Sequence, residues 1–365
     1  MDGELSWPAS APPLASAALP ALAIERWLQL PAGPAGTPYE IDTSCLPWGD
    51  HAVLLAEFAH SRELGFEALC ADAGLRAGQA LLSPRQLLAL LEGLRREGGA
   101  DTPFVLGRQL LPGHYGLASQ TLAQAADLRE ALRQLCRWSG RLSPLLTPRL
   151  LVDEQTLTLV WADACGLPPS LRGFVVDLHM SAVTHGCAAL AGMALPWQYC
   201  FNRTAPRDVA QHAVFLGPRL QFDCQVDAMR IDIAWAARPW RGDALQAGFA
   251  GRALAQGADT QAARRGLIAA LHDRLLPRLA DAPSLEALAA DFAISPATLK
   301  RRLAQHGSHY QAELDQLRAW VALYLLGPRG QGNEAVASAL GFFDSANFRR
   351  FFKRWTGLLP SAVAR

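Results

Sequence analysis

The chain has 365 residues, half of them apolar and 18% charged, which suits two or three domains with sizeable cores and confines disorder to local segments. Its 34 Lys and Arg against 33 Asp and Glu leave a net charge of +1, so any basic surface is local and the total names no partner. The seven cysteines, Cys45, Cys70, Cys136, Cys165, Cys187, Cys200 and Cys224, are scattered without a Cys-x-x-Cys, a pattern against a disulfide framework or zinc module and for a reducing, cytoplasmic setting.

Residues 1–45 begin MDGELSWPASAPPLASAALPALA and read as a mobile Ala- and Pro-rich leader. Asp2 and Glu4 stand where a signal peptide carries basic residues, and prolines interrupt the apolar run. No apolar stretch reaches the ~18 to 20 residues of a membrane span, so no membrane partner is expected.

Residues 46–240 mix helical and strand periods. Helices are predicted over 51–62, over 83–97 with Ser83 as N-cap and Pro84 in the first helical position, over 122–138 and over 171–190. Alternating stretches over 149–161, turning at Asp153 and Glu154, and over 219–235 read as hairpin strands. This block is an α+β domain. Residues 241–283 form an Ala-, Gly- and Gln-rich helical connector ending in Asp281-Ala282-Pro283, where the domain boundary falls. Gly242, Gly248, Gly251, Gly257, Gly266 and Pro277 keep it from being one rigid rod.

Residues 284–365 are helical throughout and contain a repeat. SLEALAADFAISPATLKRRLAQHG (284–307) lies over NEAVASALGFFDSANFRRFFKRWTG (333–357) with one extra residue in the second turn. Ala289 matches Ala337, Ile294 matches Phe342, Ser295 meets the Asp344-Ser345 cap and Arg301 matches Arg350. Each copy is a helix, a tight turn and a second helix with a polar N-cap and basic residues one turn in. That is a helix-turn-helix unit, whose second helix enters the major groove N-terminus first. In the second copy, Phe348, Phe351, Phe352 and Trp355 form one stripe, and Arg349, Arg350, Lys353 and Arg354 form the opposite face. Leu299 and Leu303 are the matching anchors of the first copy. Residues 310–326 join the units as a rod of about 25 Å, which lets one chain reach two successive major grooves.

The run from Ala335 to Ala362, with A-x-x-x-G-F, a Phe-x-R-x-F helix, R-W-x-G and a following P-S, resembles the AraC/XylS transcription-regulator signature, and the match spans about 284–362. The stretches LLSPRQLLALLEGL, FVLGRQLLPGHYGLASQTLAQAADLREAL and FLGPRLQFDCQVDAMRIDI resemble the amino-terminal sensor domain of the subgroup labelled arabinose-binding, a label that does not establish a sugar ligand. The resemblance implies an α+β sensor domain followed by an all-α domain of two helix-turn-helix units joined by a linker helix. It puts Ala297, Lys300 and Arg301 of the first recognition helix, and Ala346, Asn347, Arg349 and Arg350 of the second, toward base edges. Ser295, Thr298 and Ser345 complete the DNA-binding sets, with Lys353 and Arg354 at phosphates. Arg302 is divided between a phosphate and a solvated or intramolecular pair.

Three departures from the family pattern stand out. Ala293 occupies a turn position where Gly is usual, Ala297 and Ala346 are small where larger readers are common, and PSAVAR lacks the aromatic that follows P-S-x. No G-x4-G-K-[ST], G-x-S-x-G or H-E-x-x-H occurs. Asp177, His179, His185 and Cys187 are the nearest approach to a metal set, but the two histidines lie ~240° apart on a helix, so neither metal nor cofactor is expected. The Cys-His-Arg alkyl acceptor of the family's DNA-repair relatives is also missing.

Trp138, Trp161, Trp197 and Trp235 are candidates for an effector pocket or for core, and Trp138, Trp161 and His179 form the candidate effector set. The expected function is a sequence-specific activator, not an enzyme, controlled by a small-molecule effector. Its expected partners are promoter DNA, RNA polymerase and a second copy of itself, in the cytoplasm and on the nucleoid. The alternative is a covalent thiol sensor that uses one Cys as acceptor with the same DNA-binding tail.

Overall fold

Ser83 starts its helix by the reciprocal bonds its sequence suggests. In the computed structural model, which describes residues 37–111, 115–240 and 264–363, its hydroxyl accepts the Gln86 N–H at 3.3 Å, and the Gln86 side chain accepts the Ser83 N–H at 3.1 Å. Helices α1 (Trp48–Ser61), α2 (Phe66–Asp72) and α3 (Pro84–Glu97) open the first domain, with the short strands β1 (Leu46–Pro47) and β2 (Leu81–Leu82) paired antiparallel. Then come α4 (Thr102–Leu110), α5 (Leu117–Ala123), α6 (Leu128–Arg137) and α7 (Ser139–Leu142). The single helix expected over 122–138 is therefore broken. The Asp127 side chain accepts the Glu130 N–H at 2.8 Å and starts α6 afresh, a local bond that competes with helix continuation.

Strands β3 (Leu146–Val152) and β4 (Thr156–Asp163) form the expected hairpin. Its turn is set by the Asp153 carboxylate, which accepts the Gln155 and Thr156 N–H groups at 2.9 and 2.7 Å. After α8 (Pro169–Ala191) come β5 (Gln198–Cys200), α9 (Ala210–Leu216), β6 (Leu220–Gln221) and β7 (Ala228–Asp232). The sheet order is β3-β4-β7-β5-β6, with β5 and β6 parallel and every other pair antiparallel. Residues 219–235 thus hold two strands that do not pair with each other. The Asp223 and Cys224 N–H groups bond Arg203 and Phe201 carbonyls at 2.8 and 3.0 Å, so the turn closes onto the continuation of β5.

Strand β4 alternates between two cores. Leu157, Leu159 and Trp161 join the helices α1, α3, α4 and α8 in one, while Val160 and Ala162 join Leu151, Cys200, Val226 and Ala228 in the other. That second core continues into α10 (Leu267–Leu275), α11 (Leu285–Asp291), α12 (Pro296–Gln305), α13 (Tyr310–Leu326), α14 (Asn333–Ala339) and α15 (Ser345–Thr356). The sheet is covered by helices of the first domain on one face and by the carboxy-terminal helices on the other.

Three further expectations meet the structure as follows. Residues 1–36 of the leader lie outside the described residues, but Tyr39 is buried, its hydroxyl donating to the Pro144 carbonyl at 2.7 Å and its N–H to the Arg265 carbonyl at 2.9 Å. Of the connector, 241–263 lies outside the described residues; from Leu267 to Leu279 it packs into the second core together with the carboxy-terminal helices. Helix α8, with 23 residues, is long and apolar enough to cross a membrane by length and composition, contrary to the expectation that no stretch is, and 72% of its apolar window is buried inside the fold.

Candidate nucleic-acid interface and sensor cavity

Each carboxy-terminal unit is built by the same local chemistry. The Ser295 hydroxyl accepts the Thr298 N–H at 3.1 Å to cap α12, and the Asp344 carboxylate accepts the Asn347 N–H at 2.6 Å to cap α15. Ser345 is therefore the first residue of α15, and the cap is Asp344 alone. The extra residue of the second turn is Phe343, 98% exposed. Leu299 and Leu303, like Phe348 and Phe352, are fully buried, so the spacing places the anchors correctly. Phe342 packs on Phe351 and Trp355 with ring centroids 5.4 and 5.7 Å apart, and the Arg318 guanidinium of α13 lies 5.4 Å over it.

The outward residues carry the charge. Ala297, Lys300 and Arg301 on α12, and Ala346, Arg349, Arg350 and Lys353 on α15, are exposed; Thr298 and Asn347 are half-buried. Among the described residues, no carboxylate lies within ion-pair distance of Lys300, Arg301, Arg349, Arg350 or Lys353. Arg350 donates to the Asn347 side-chain oxygen at 3.0 Å, and Arg349 to the Ser345 carbonyl at 3.3 Å. Arg354 already has a partner, Asp315 of α13, at 2.8 Å.

Arg302 faces elsewhere. It is half-buried and pairs with Glu40 at 3.3 Å, which places it in the intramolecular pair and not beside its exposed neighbours. Next to it, His306 is buried at the end of α12. Its Nδ1 sits 2.7 Å from the Arg302 carbonyl and so carries the proton, leaving Nε2 to accept the Ile41 N–H at 3.1 Å. The loop after β4 that lies against it is tied by Asp163, which accepts the Cys165, Gly166 and Leu167 N–H groups at 2.9, 2.8 and 2.7 Å. Gly166 has φ +84, and a Cβ there would fall 2.5 Å from the His306 carbonyl oxygen.

Inside the helices of the first domain lies a cavity of about 30 Å³ lined mainly by leucines of α1, α3, α4 and α8, with His51, Tyr115, Pro144 and His179. Burial holds His51 and His179 down at about 4, so both are neutral near pH 7. His179 Nδ1 donates to the Val175 carbonyl at 2.7 Å, which leaves Nε2 as an acceptor. Of the expected effector set only His179 lines the cavity. Trp138 and Trp161 are fully buried core, with Trp161 packed on the His179 ring at 5.3 Å. His51 and Tyr115 carried no sequence signal, since a cavity wall of leucines reads as ordinary core.

A short strap joins the cavity to the first recognition helix. The Pro144 carbonyl accepts the Tyr39 hydroxyl, and two residues on, the Ile41 N–H meets His306. The thiols are mostly quiet: burial pushes Cys136 and Cys187 up to about 12 and Cys165 well above its ordinary value. His185 turns back to the Ser181 carbonyl at 2.9 Å, while Asp177 is engaged by Arg203 and His212.

Residues 64–240 match the arabinose-binding domain of AraC transcription regulator, N-terminal, and residues 288–365 match a helix-turn-helix domain. An HTH-type transcriptional regulator of Mycobacterium tuberculosis is 26% identical over 308 residues, 80% of this chain and 86% of that one. The ornithine utilization regulator of Pseudomonas aeruginosa is 25% identical over 323 residues, 84% of this chain and 92% of that one. The crystal structure of the transcriptional regulator CdpR from Pseudomonas aeruginosa aligns over 86% of this chain and 96% of that chain, with TM-score 0.44 and 20% identity.

Proposed function

The chain belongs to the AraC family of transcription regulators, with an arabinose-binding-type amino-terminal domain and a DNA-binding helix-turn-helix domain, and from that premise we propose a promoter-binding activator controlled by a small effector in the sensor cavity. The observation that carries the DNA-reading part is the pair of matched recognition helices, each held by two buried anchors and each offering cations without a carboxylate partner. Lys300, Arg301, Arg349 and Arg350 read base edges, with Arg able to discriminate guanine by ~1 to 3 kcal/mol, and Lys353 meets phosphate. Ala297 and Ala346 offer at most a thymine-methyl contact. Ser295 with Thr298, and Asp344 with Asn347, fix the helix ends that enter the grooves, and Ser345 opens the second of those helices. The same reading has the chain work in the cytoplasm and on the nucleoid, as a homodimer that contacts RNA polymerase.

The effector we propose is uncharged and mostly apolar. A sugar would bring several hydroxyls to a wall of leucines with two neutral histidines and one tyrosine, and each unpaired buried hydroxyl costs about 1 to 3 kcal/mol. At about 30 Å³ the cavity must widen for a ligand, moving walls that include Pro144. The strap carries that movement to His306 and to the Glu40–Arg302 pair, so coupling runs through direct contact as well as through the connector. An effector shifts the balance only by its differential affinity for the two arrangements.

The test is a thermal-shift screen of small apolar compounds on the full chain, followed by promoter affinity with and without each hit. A true effector at 100 times its Kd stabilises by ~2.7 kcal/mol and changes DNA affinity by the factor by which DNA changes its own. Leu110→Phe, which fills the cavity, is expected to remove both effects. Hits that survive Leu110→Phe, or that leave DNA affinity unchanged, contradict the assignment.

A further inference from the structure

We propose that Phe343 is a base reader of the second helix-turn-helix unit, meeting a thymine 5-methyl group in the major groove and giving the two half-sites of one chain unequal sequence demands. This rests on the DNA-reading assignment and adds to it a residue that lies on neither recognition helix. Phe343 stands in the turn between α14 and α15 with 98% of its surface exposed. Among the described residues no other large apolar side chain is as bare, and Val214 follows at 76%. Scattered apolar residues at a surface are ordinary, but a whole phenylalanine ring in water at this position is not.

The exposure runs against the local pattern. Asp344 caps α15, so Phe343 is the residue before the cap, where an apolar side chain normally packs on the fourth helical residue and staples the helix start. That fourth residue is Phe348, and it is already covered by Phe342 and Phe352, whose ring centroids are 6.0 and 5.7 Å away. Phe342 turns inward in place of the staple and leaves Phe343 outside. The backbone holds the ring there. On one side Gly341 has φ 73, and a Cβ on it would run into the Ala280 carbonyl, so the turn is seated against the chain ahead of α11. On the other side the Asp344 carboxylate accepts the Asn347 N–H at 2.6 Å. A ring presented from a fixed backbone has only two torsions to order on binding.

Its neighbours say what covers it. Helix α15 enters the groove N-terminus first, so the residue before its cap travels with Ala346, Arg349 and Arg350, all exposed. Among the described residues no carboxylate lies within ion-pair distance of Arg349, Arg350 or Lys353, and the surface continuous with Phe343 is therefore cationic and suits an anionic duplex. In a major groove the apolar group on offer is the thymine 5-methyl. Ala346 brings a single methyl to that end of the helix, whereas Phe343 brings a ring. The first unit has no equivalent, because its turn is one residue shorter and Ile294 leads straight into the Ser295 cap.

Replacing thymine with deoxyuridine removes only the 5-methyl and leaves the pairing with adenine intact. Full-length wild type and Phe343→Ser are titrated at one salt concentration against DNA that wild type selects from a random library. Each thymine of the half-site whose protection Arg350→Ala loses is replaced in turn. The expected result is one position at which deoxyuridine weakens wild type about fourfold, the worth of one buried methyl, and leaves Phe343→Ser unmoved. Phe343→Ser should bind the thymine duplex at least about fourfold more weakly than wild type, and the ring touches too little for the variant to unfold. In the other half-site each replacement acts on both proteins alike. The inference is overturned if the half-site holds no such position, or if Phe343→Ser responds to deoxyuridine as wild type does. It is also overturned if the variant binds the duplex normally and loses only transcription by purified RNA polymerase, which would give the ring to that partner. A wild-type chain that selects no sequence sinks the DNA-reading assignment and this inference with it, whereas a selected sequence indifferent to residue 343 sinks this inference alone.

Discussion

Ala293 takes the left-handed backbone at φ 53 in the first turn, where Gly341 at φ 73 occupies the matching place in the second. An L-residue there costs ~1 to 2 kcal/mol, partly offset because glycine leaves the unfolded chain more freedom. Ala293→Gly is therefore expected to stabilise the carboxy-terminal helices by about 0.5 to 1 kcal/mol in a denaturant titration; destabilisation would mean the turn is relaxed as it stands. Phe352→Ala should lose ~3 to 5 kcal/mol, because Phe352 is fully buried between packed rings. Residue roles that depend on helical period were legible: Leu299, Leu303, Phe348 and Phe352 announce themselves by spacing. Arg302 was not, because its partner Glu40 lies far away in sequence and only the folded chain brings it close. The tryptophans stayed open between pocket and core for a related reason, since a large ring fills a core as readily as it walls a cavity.

At the scale of elements, the apolar joint between α10 and α13 contains a buried polar pair. His272 Nε2 and the Glu313 carboxylate are 2.6 Å apart, and both side chains are buried. Burial pushes the Glu313 carboxyl up, but the His272 hydrogen bond and charge, with Ser308 and His309, prevail and hold it below the ordinary carboxylate value. A group depressed in the folded state contributes stability above its unfolded value of ~4.3 and loses it as pH falls through the folded value. Wild type should accordingly lose Tm below about pH 4.5 more steeply than Glu313→Gln. Parallel Tm curves would remove this pair from the acid sensitivity. Helix and strand positions were mostly readable from period and caps. The exceptions were non-local or competitive, as where Asp127 restarts a helix and where β5 enters between β6 and β7.

Over the whole molecule, one sheet serves two cores, and α10 belongs with the DNA-reading helices despite its place in the connector. Its Leu267, Leu271 and Leu275 are fully buried in that core. A fragment of residues 264–365 should therefore melt well above one of residues 280–365, which loses that helix; equal melting would return α10 to the linker. The central claim is that α12 and α15 read two successive grooves from a single chain. Hydroxyl-radical footprinting of the full chain on DNA selected from a random library tests it most directly, with Arg301→Ala and Arg350→Ala beside wild type. Wild type should protect two segments about 10 base pairs apart on one face of the duplex, Arg301→Ala losing one and Arg350→Ala the other. Footprints unchanged by both substitutions would contradict it.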